Sequence, residues 1–394
     1  MNRMLEGIRI VSFAQLLQAP AGVQLLSDLG AETIKIERPG AGAWERAGSG
    51  GGHWVGGESL LLIAAGRNQR GLTVDLKSEE GREIIWKLID QADIVVENYR
   101  PGVMDRLGFG FEAVHARNPK VVYCAASGYG SSGPYLERPG QDLLAQAISG
   151  ITSMSGRLDD PPTPIGFAPV DQHSAALIGF GILAALFDRS RTGKGQKVEV
   201  NLLSSAIDLL AEPLTYFLNG AKIGQRSQAG LASGFHPGPY GVYQTKDGWI
   251  ALSQNPLPKL APLLGLPELE QYPVNMDAWQ NKERICEIIR PVMPSKTTDE
   301  WLEVLLAADI WCAPVKTLSE VESDPQVQHL GMIQELEHPT AGTLKVVRHP
   351  VFYSDHQPSI RRHPPLLGEH TSQILNELGY SSSEISALQS QGKV

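Results

Sequence analysis

Apolar residues recur along the first third of the chain in short blocks separated by stretches with helical spacing. Ile8–Phe13, Glu32–Glu37, Gly71–Leu76, Asp93–Glu97 and Lys120–Ala125 read as strands, and Ala21–Leu29 and Glu79–Gln91 as helices between them. In Glu79–Gln91 the residues Ile84, Ile85, Leu88 and Ile89 fall on one side, as in a helix laid on a sheet. Strands alternating with helices predict an α/β domain around a mostly parallel sheet. Between the second and third strands, Gly40–Gly57 is rich in glycine and reads as a loop, either a surface excursion or a flap beside a ligand.

The pattern continues with helices at Asp142–Ser149, Gln172–Asp188 and Leu202–Leu218 and a strand at Lys197–Val200. Asn219–Gly238, dominated by Gly, Ser and Gln, reads as a linker. Beyond it, Tyr240–Gln244 and Trp249–Leu252 flank Lys246-Asp-Gly as a hairpin-like unit, followed by helices at Asn281–Val292 and Thr298–Ala307. This predicts a second, smaller α+β domain over 219–311, after a large part over 1–218. From Cys312 the pattern is mixed again, and it ends in helices at Thr371–Leu378 and Ser382–Gln391.

Composition narrows the class. With 394 residues, 42% of them hydrophobic and 20% charged, the chain can bury a large core without metals or disulfides. A net charge of −9 argues against an extended nucleic-acid surface. Cys124, Cys286 and Cys312 lie far apart with no C-x-x-C spacing, so neither a zinc knuckle nor a redox pair is expected, and a reduced, cytoplasmic chain is. Met1–Gly7 has no signal-peptide pattern, and the apolar run Ala175–Phe187 is too short to span a bilayer, so no membrane partner is expected.

Several motifs are decoys. Gly128-Tyr-Gly-Ser-Ser-Gly133 follows a strand and matches G-x-G-x-x-G, but Pro134 and Pro139-Gly140 prevent the immediate helix that a dinucleotide pyrophosphate needs. Gly193-Lys-Gly-Gln lacks the spacing and hydroxyl of a phosphate loop. The ten histidines form no ligand set, so no metal is expected. His173 stands two residues from Asp171, a separation at which helical side chains do not face each other.

Asp171 stands just ahead of the run Ala175–Phe187, where an aspartate serves either as a helix cap or as a nucleophile kept ionised by the helix terminus. Asp142, before Leu143-Leu-Ala-Gln-Ala, has the same local case. Spacing does not separate the two.

Seven stretches in order resemble the class III CoA-transferases, the CaiB/BaiF type. They are Leu5-Glu-Gly-Ile-Arg-Ile-Val, Leu29-Gly-Ala-Glu-Thr-Ile-Lys-Ile-Glu-Arg-Pro-Gly40, Val96-Glu-Asn-Tyr-Arg-Pro-Gly-Val-Met-Asp-Arg-Leu-Gly108, Ser127-Gly-Tyr-Gly-Ser-Ser-Gly-Pro-Tyr135, Arg191-Thr-Gly-Lys-Gly-Gln196, Cys312-Ala-Pro-Val315 and Leu366-Leu-Gly-Glu-His-Thr371. The resemblance implies that Asp171 is the nucleophile and that Arg38, Leu72, Asn98, Tyr99 and Arg106 contribute to a coenzyme A site. It implies an acyl-CoA donor and a small carboxylic acid acceptor as substrates, with no tightly bound cofactor. It also implies a Rossmann-like large domain built from both termini, 1–218 and 312–394, and a ring-shaped chain interlocked with a second copy in a homodimer.

Two rivals stand beside this reading. An α-methylacyl-CoA racemase resembles the same family but needs a His and Asp pair, and its His falls where this chain has Gln141, which cannot exchange a proton near neutral pH. A non-catalytic CoA-binding protein would keep Arg38 and Arg106 and have no use for Asp171.

Overall fold

The computed structural model describes residues 3–222 and 226–394. Met1 and Asn2, at the head of the segment without a signal pattern, and residues 223–225, inside the expected linker Asn219–Gly238, lie outside the described residues.

Six parallel strands form the central sheet, side by side in the order Gln69–Thr73, Glu32–Glu37, Arg9–Ser12, Ile94–Glu97, Val122–Ser127 and Lys197–Asn201. The chain therefore starts in the middle, builds outward to one edge, returns to the centre and builds to the other. Val11 sits between Ile34 and Val95 at this centre. Where the build direction reverses, the connections leave on opposite faces of the sheet, and a crevice opens at the carboxyl ends of the strands.

Alternation along each strand sends side chains to two different cores. Val11, Ile34, Ile36, Leu72, Val95 and Tyr123 pack against the helix Glu79–Ile89 and against Ile374, Leu375, Ile385 and Leu388 of the C-terminal helices. Ile10, Ile94, Val96, Val122 and Cys124 pack against helices Gln18–Asp28 and Pro169–Thr192. The edge strand Gln69–Thr73 is polar, which hid its first residues from a search for apolar blocks. Arg70 pairs through Nη1 and Nη2 with Glu32 and Glu377, and Thr73 bonds Thr371, so most of its polar groups are satisfied, while Arg70 Nε is buried without a partner among the described residues.

The helix Pro169–Thr192 has 24 residues, more than Gln172–Asp188. By length and composition alone it is long and apolar enough to cross a membrane, so the argument from the shortness of Ala175–Phe187 fails. Its packing says more. Val170, Ser174, Ala175, Ile178, Gly179, Ile182 and Ala185 are buried, and at Gly22 of the neighbouring helix a Cβ would come within 2.8 Å of Ile178. Phe180 and Phe187, 72% and 67% exposed, occupy its other face.

Smaller departures have local causes. Gly40–Gly57 is not all loop: it holds a helical turn, Trp44–Ala47, and the strand Trp54–Val55, which pairs with Glu58–Ser59. The helix expected over Leu202–Leu218 breaks at Leu210, because Pro213 has no N–H to return to Leu209.

The chain forms two compact units: Met1–Ala145, Ala168–Ser205 and Pro325–Val394 make one, and Gln146–Phe167 with Ala206–Asp324 the other. The sequence puts the return to the large domain at Cys312, whereas the structure puts it at Pro325. Cys312–Pro314 pairs antiparallel with Trp249–Leu252 as the third strand of the smaller unit's sheet. Gln146–Phe167 also joins that unit, where the Arg226 guanidinium donates to the carbonyls of Ser155 and Pro161. Tyr243, Ile250, Leu252, Ile285 and Trp301 form its core.

Candidate active site

A cavity of about 870 Å³ opens at the carboxyl ends of four adjacent strands of the central sheet. Each contributes the residues that follow it: Gln15, Arg38, the segment Val74–Lys77, and Tyr99. Trp44 and Ala47 line it from the short helix, and Val103 and Leu107 from the helix Val103–Leu107. The walls are apolar, with Ile36, Val74 and Leu76, and Arg38 and Lys77 supply positive charge. Arg106, three residues after Val103, shares its helix face and is exposed. This pairing of a flat apolar slot with cations suits a nucleotide bearing phosphates.

An ion pair underlies the cavity at Glu37. Arg46 grips Glu37 with two hydrogen bonds, Nε to Oε1 at 2.7 Å and Nη2 to Oε2 at 2.8 Å. Burial pushes the Glu37 carboxyl up, but the bond to Arg46 and the charge of Lys35 outweigh it and hold it below the usual range.

The residues expected at a coenzyme A site divide into three kinds. Arg38 and Tyr99 line the cavity, and Arg106 stands on the face of a lining helix. Asn98 spends its side-chain amide on the backbone, with Oδ1 accepting from Gln15 N at 2.8 Å and Nδ2 donating to Gln15 O at 2.7 Å. Leu72 is wholly buried in the core under the helix Glu79–Ile89. It shares a face of the sheet with Ile36 and Val74 but does not reach the cavity, whose wall there is made by the chain that follows it, Val74–Lys77.

The two aspartates that spacing left alike are separated by the fold. The helix behind Asp171 begins at Pro169, so Asp171 is the third helical residue and not its cap. Proline is suited to that first position, having no N–H to leave unpaired. Asp142 caps the helix across the fold: its Oδ2 accepts from Val170 N at 2.8 Å and from Asp171 N at 2.9 Å. Burial, and then the charge of Asp142, push the Asp171 carboxyl up to about 7. This reverses the expectation of a carboxylate held ionised by the helix terminus, because Asp142 already occupies those donors.

The loop Gln15–Gln18 connects the cavity to Asp171. Gln15 lines the cavity, and its Nε2 donates to Tyr99 Oη at 2.9 Å. Gln18 Nε2 donates to Ser174 Oγ at 2.9 Å, one helical turn beyond Asp171. Between them Leu16 adopts a left-handed backbone, with φ of 64°. On the far side of Asp171's helix start, the G-x-G-x-x-G decoy serves backbone contact: a Cβ on Gly128 would fall 2.6 Å from Gly140 Cα. That approach folds the segment back, so that Asp142 follows closely on the end of the strand Val122–Ser127. Among the described residues no group of three His, Cys, Asp or Glu side chains is placed to hold a metal ion.

A family model described as CoA-transferase family III matches residues 5–371. The chain belongs to CoA-transferase family III. It is 35% identical over 397 residues to the human succinyl-CoA:glutarate CoA-transferase, covering 99% of this chain and 90% of the relative. It is 30% identical to the formyl-CoA:oxalate CoA-transferase of Rhodopseudomonas palustris, covering 100% and 97%. Among solved structures, a CaiB/BaiF family protein from Brucella suis matches with a TM-score of 0.83 at 30% identity, covering 96% of this chain and all of that one. Membership makes the protein a transferase with an α/β fold around a parallel sheet. Members of the family use coenzyme A thioesters as substrates. Asp142, Gln18, Trp44 and Lys77 lie at the candidate site without belonging to the residues that the motifs indicated. Asp142 had a local signal as the twin of Asp171, and Trp44 lies inside the glycine-rich segment Gly40–Gly57 that reads as a possible flap.

Proposed function

We propose that the protein transfers coenzyme A from an acyl-CoA thioester to a carboxylic acid, with Asp171 as the nucleophile. One observation carries this reading: a single loop, Gln15–Gln18, touches both the cavity that suits coenzyme A and the helix turn that bears a desolvated aspartate. Arg38, Lys77 and Arg106 pair with the phosphates, the slot beside Tyr99 takes the adenine, and the pantetheine arm runs past Gln15.

The chemistry balances without a further reactant. The Asp171 carboxylate attacks the thioester carbonyl and expels CoA thiolate, leaving a mixed anhydride. The thiolate attacks the aspartyl carbonyl and releases the first acid as its carboxylate. The incoming carboxylate attacks the aspartyl thioester, expelling thiolate again and forming a second anhydride. The thiolate then takes the new acyl group, and Asp171 returns as a carboxylate. Holding carboxylate and thioester together supplies on the order of 7–11 kcal/mol as effective molarity. Partial burial strips water from Asp171, which favours attack and protects the anhydride from hydrolysis.

Short dicarboxylic acids are the proposed substrate class, since glutarate and oxalate appear in the names of relatives that align along nearly the whole chain. The proposed assembly is an interlocked homodimer. The exposed Phe180 and Phe187, on the face of their helix opposite its buried residues, support it, because such an apolar face is stable when a second copy covers it. Gln141, exposed and unable to accept and return a proton near neutral pH, weighs against racemisation.

The test is covalent. Incubated with succinyl-CoA, the enzyme is expected to gain the mass of an aspartyl–CoA thioester at Asp171 and to pass CoA to glutarate. Full transfer by Asp171→Ala overturns the proposal.

A further inference from the structure

The loop between the first strand and the helix Gln18–Asp28 is held in an unfavourable shape. Leu16 has a φ of 64°, a conformation that a branched side chain disfavours and that glycine normally takes. Something must impose it. Every polar main-chain group from Ala14 O to Leu16 N is gripped by a side chain: Lys35 Nζ donates to Ala14 O at 3.1 Å, Asn98 brackets Gln15 N and O, and Glu45 Oε2 accepts from Leu16 N at 2.9 Å. Lys35 and Glu45 also bond each other, and both side chains are only 2% exposed.

A buried ion pair is a poor way to add stability, because desolvating both charges costs about what their attraction returns. Its value here is in geometry. Lys35 is rooted in the central strand Glu32–Glu37, and Glu45 in the helical turn Trp44–Ala47, whose Trp44 and Ala47 line the cavity. The loop they grip reaches the turn of Asp171 through Gln18.

We infer that Lys35 and Glu45 are a positioning pair: they set the backbone of Ala14–Leu17 and tie it to the cavity wall, so that the wall that holds coenzyme A and the loop beside Asp171 keep one alignment. The chemical part of this inference rests on the proposed CoA transfer, whereas the backbone part does not.

The experiment replaces the pair with apolar residues of similar size, Lys35→Met with Glu45→Leu, in the full-length protein. Such a swap leaves no unpaired charge and is expected to fold with a similar Tm. Exchange of the amides in a peptide spanning Gln15–Gln18 should accelerate at least about tenfold as the grip on Leu16 is lost. With succinyl-CoA and glutarate, kcat should fall about 100-fold while KM for succinyl-CoA changes less than about threefold, as a misplaced loop predicts. Lys35→Met with Glu45→Gln, which keeps an acceptor for Leu16 N, should recover about tenfold of the loss and slow the exchange again. If the leucine variant does not fold, Lys35→Met with Glu45→Gln, which leaves neither charge buried alone, carries the comparison with the parent protein, with a smaller fall in kcat. Unchanged exchange in the loop, or turnover within twofold of the parent protein, overturns the inference. Faster exchange in a protein whose parent transfers no CoA leaves the positioning role standing and removes the proposed function instead.

Discussion

Asp142 and Asp171 begin from the same local sequence and end in opposite roles. Each precedes an apolar helical run, and each reads as a cap. In the structure the Asp142 carboxylate accepts from the amides of Val170 and Asp171 and so caps a helix other than its own. Asp171, in the first turn of the same helix, has little water and a like charge beside it, and its carboxyl rises to about 7. The difference teaches that a helix N-terminus is a limited resource. The carboxylate that occupies it is quiet, and the one displaced from it is raised in energy and free to react.

The sharpest break of this comparison is removal of the displaced carboxylate. Asp171→Asn keeps the shape and the cap, so CoA binding by calorimetry should stay within about threefold. Transfer should drop by about 10³-fold or more, as expected when a covalent nucleophile is lost.

Removing the cap is the next test. Asp142→Ala orphans two buried amides and should lower stability by about 1–2 kcal/mol in chemical denaturation. Turnover should fall with it, by about tenfold or more, as the helix start loosens. Asp142→Asn keeps an acceptor and removes the charge. Its effect should be a shift of the pH–rate profile to lower pH, because one of the causes that raise Asp171 is gone.

The pH dependence sharpens the comparison further. Transfer should fall as pH drops through about 7, where Asp171 takes up its proton. Stability runs the other way. From about pH 4 to about 7 the unfolded chain has lost the Asp171 proton while the folded one keeps it, so the folded state binds more protons and loses stability as pH rises. Asp171→Asn abolishes that loss. It should be more stable than the parent by about 1–3 kcal/mol at pH 8, with the gain vanishing below about pH 4. A variant no more stable at pH 8 than at pH 4, relative to the parent, breaks this account.

The smallest effects on turnover separate wall from core. Arg38→Ala should raise KM for acyl-CoA about tenfold with kcat nearly unchanged, the pattern of lost binding that is equal in ground and transition states. Leu72→Ala should leave KM within about twofold and cost about 2–5 kcal/mol of stability, the pattern of a core cavity.

Much of the fold was legible along the chain. The blocks Glu32–Glu37 and Lys120–Ala125 and the face Ile84, Ile85, Leu88 and Ile89 all lie where spacing put them or within a few residues. Polar edges were not: Arg70 is paired with Glu32 and Glu377, both far away in sequence, and no apolar block marks it. The site was legible in part. Arg38 and Tyr99 follow strands whose carboxyl ends could be read, whereas the burial of Leu72 and the use of Asn98 on Gln15 depend on how neighbouring strands and loops close.

By itself, the sequence determined which faces of each strand and helix are apolar, because those periods depend only on residues a few positions apart. It also determined the family, through motifs spread along most of the chain. Only the tertiary structure decided that Asp142 caps the helix of Asp171 from 29 residues away, and that Lys35 and Glu45 meet over the Gln15–Gln18 loop. Such pairings carry no local period. They exist once the sheet has brought distant segments within hydrogen-bond reach, and they turn two equivalent aspartates into a cap and a candidate nucleophile.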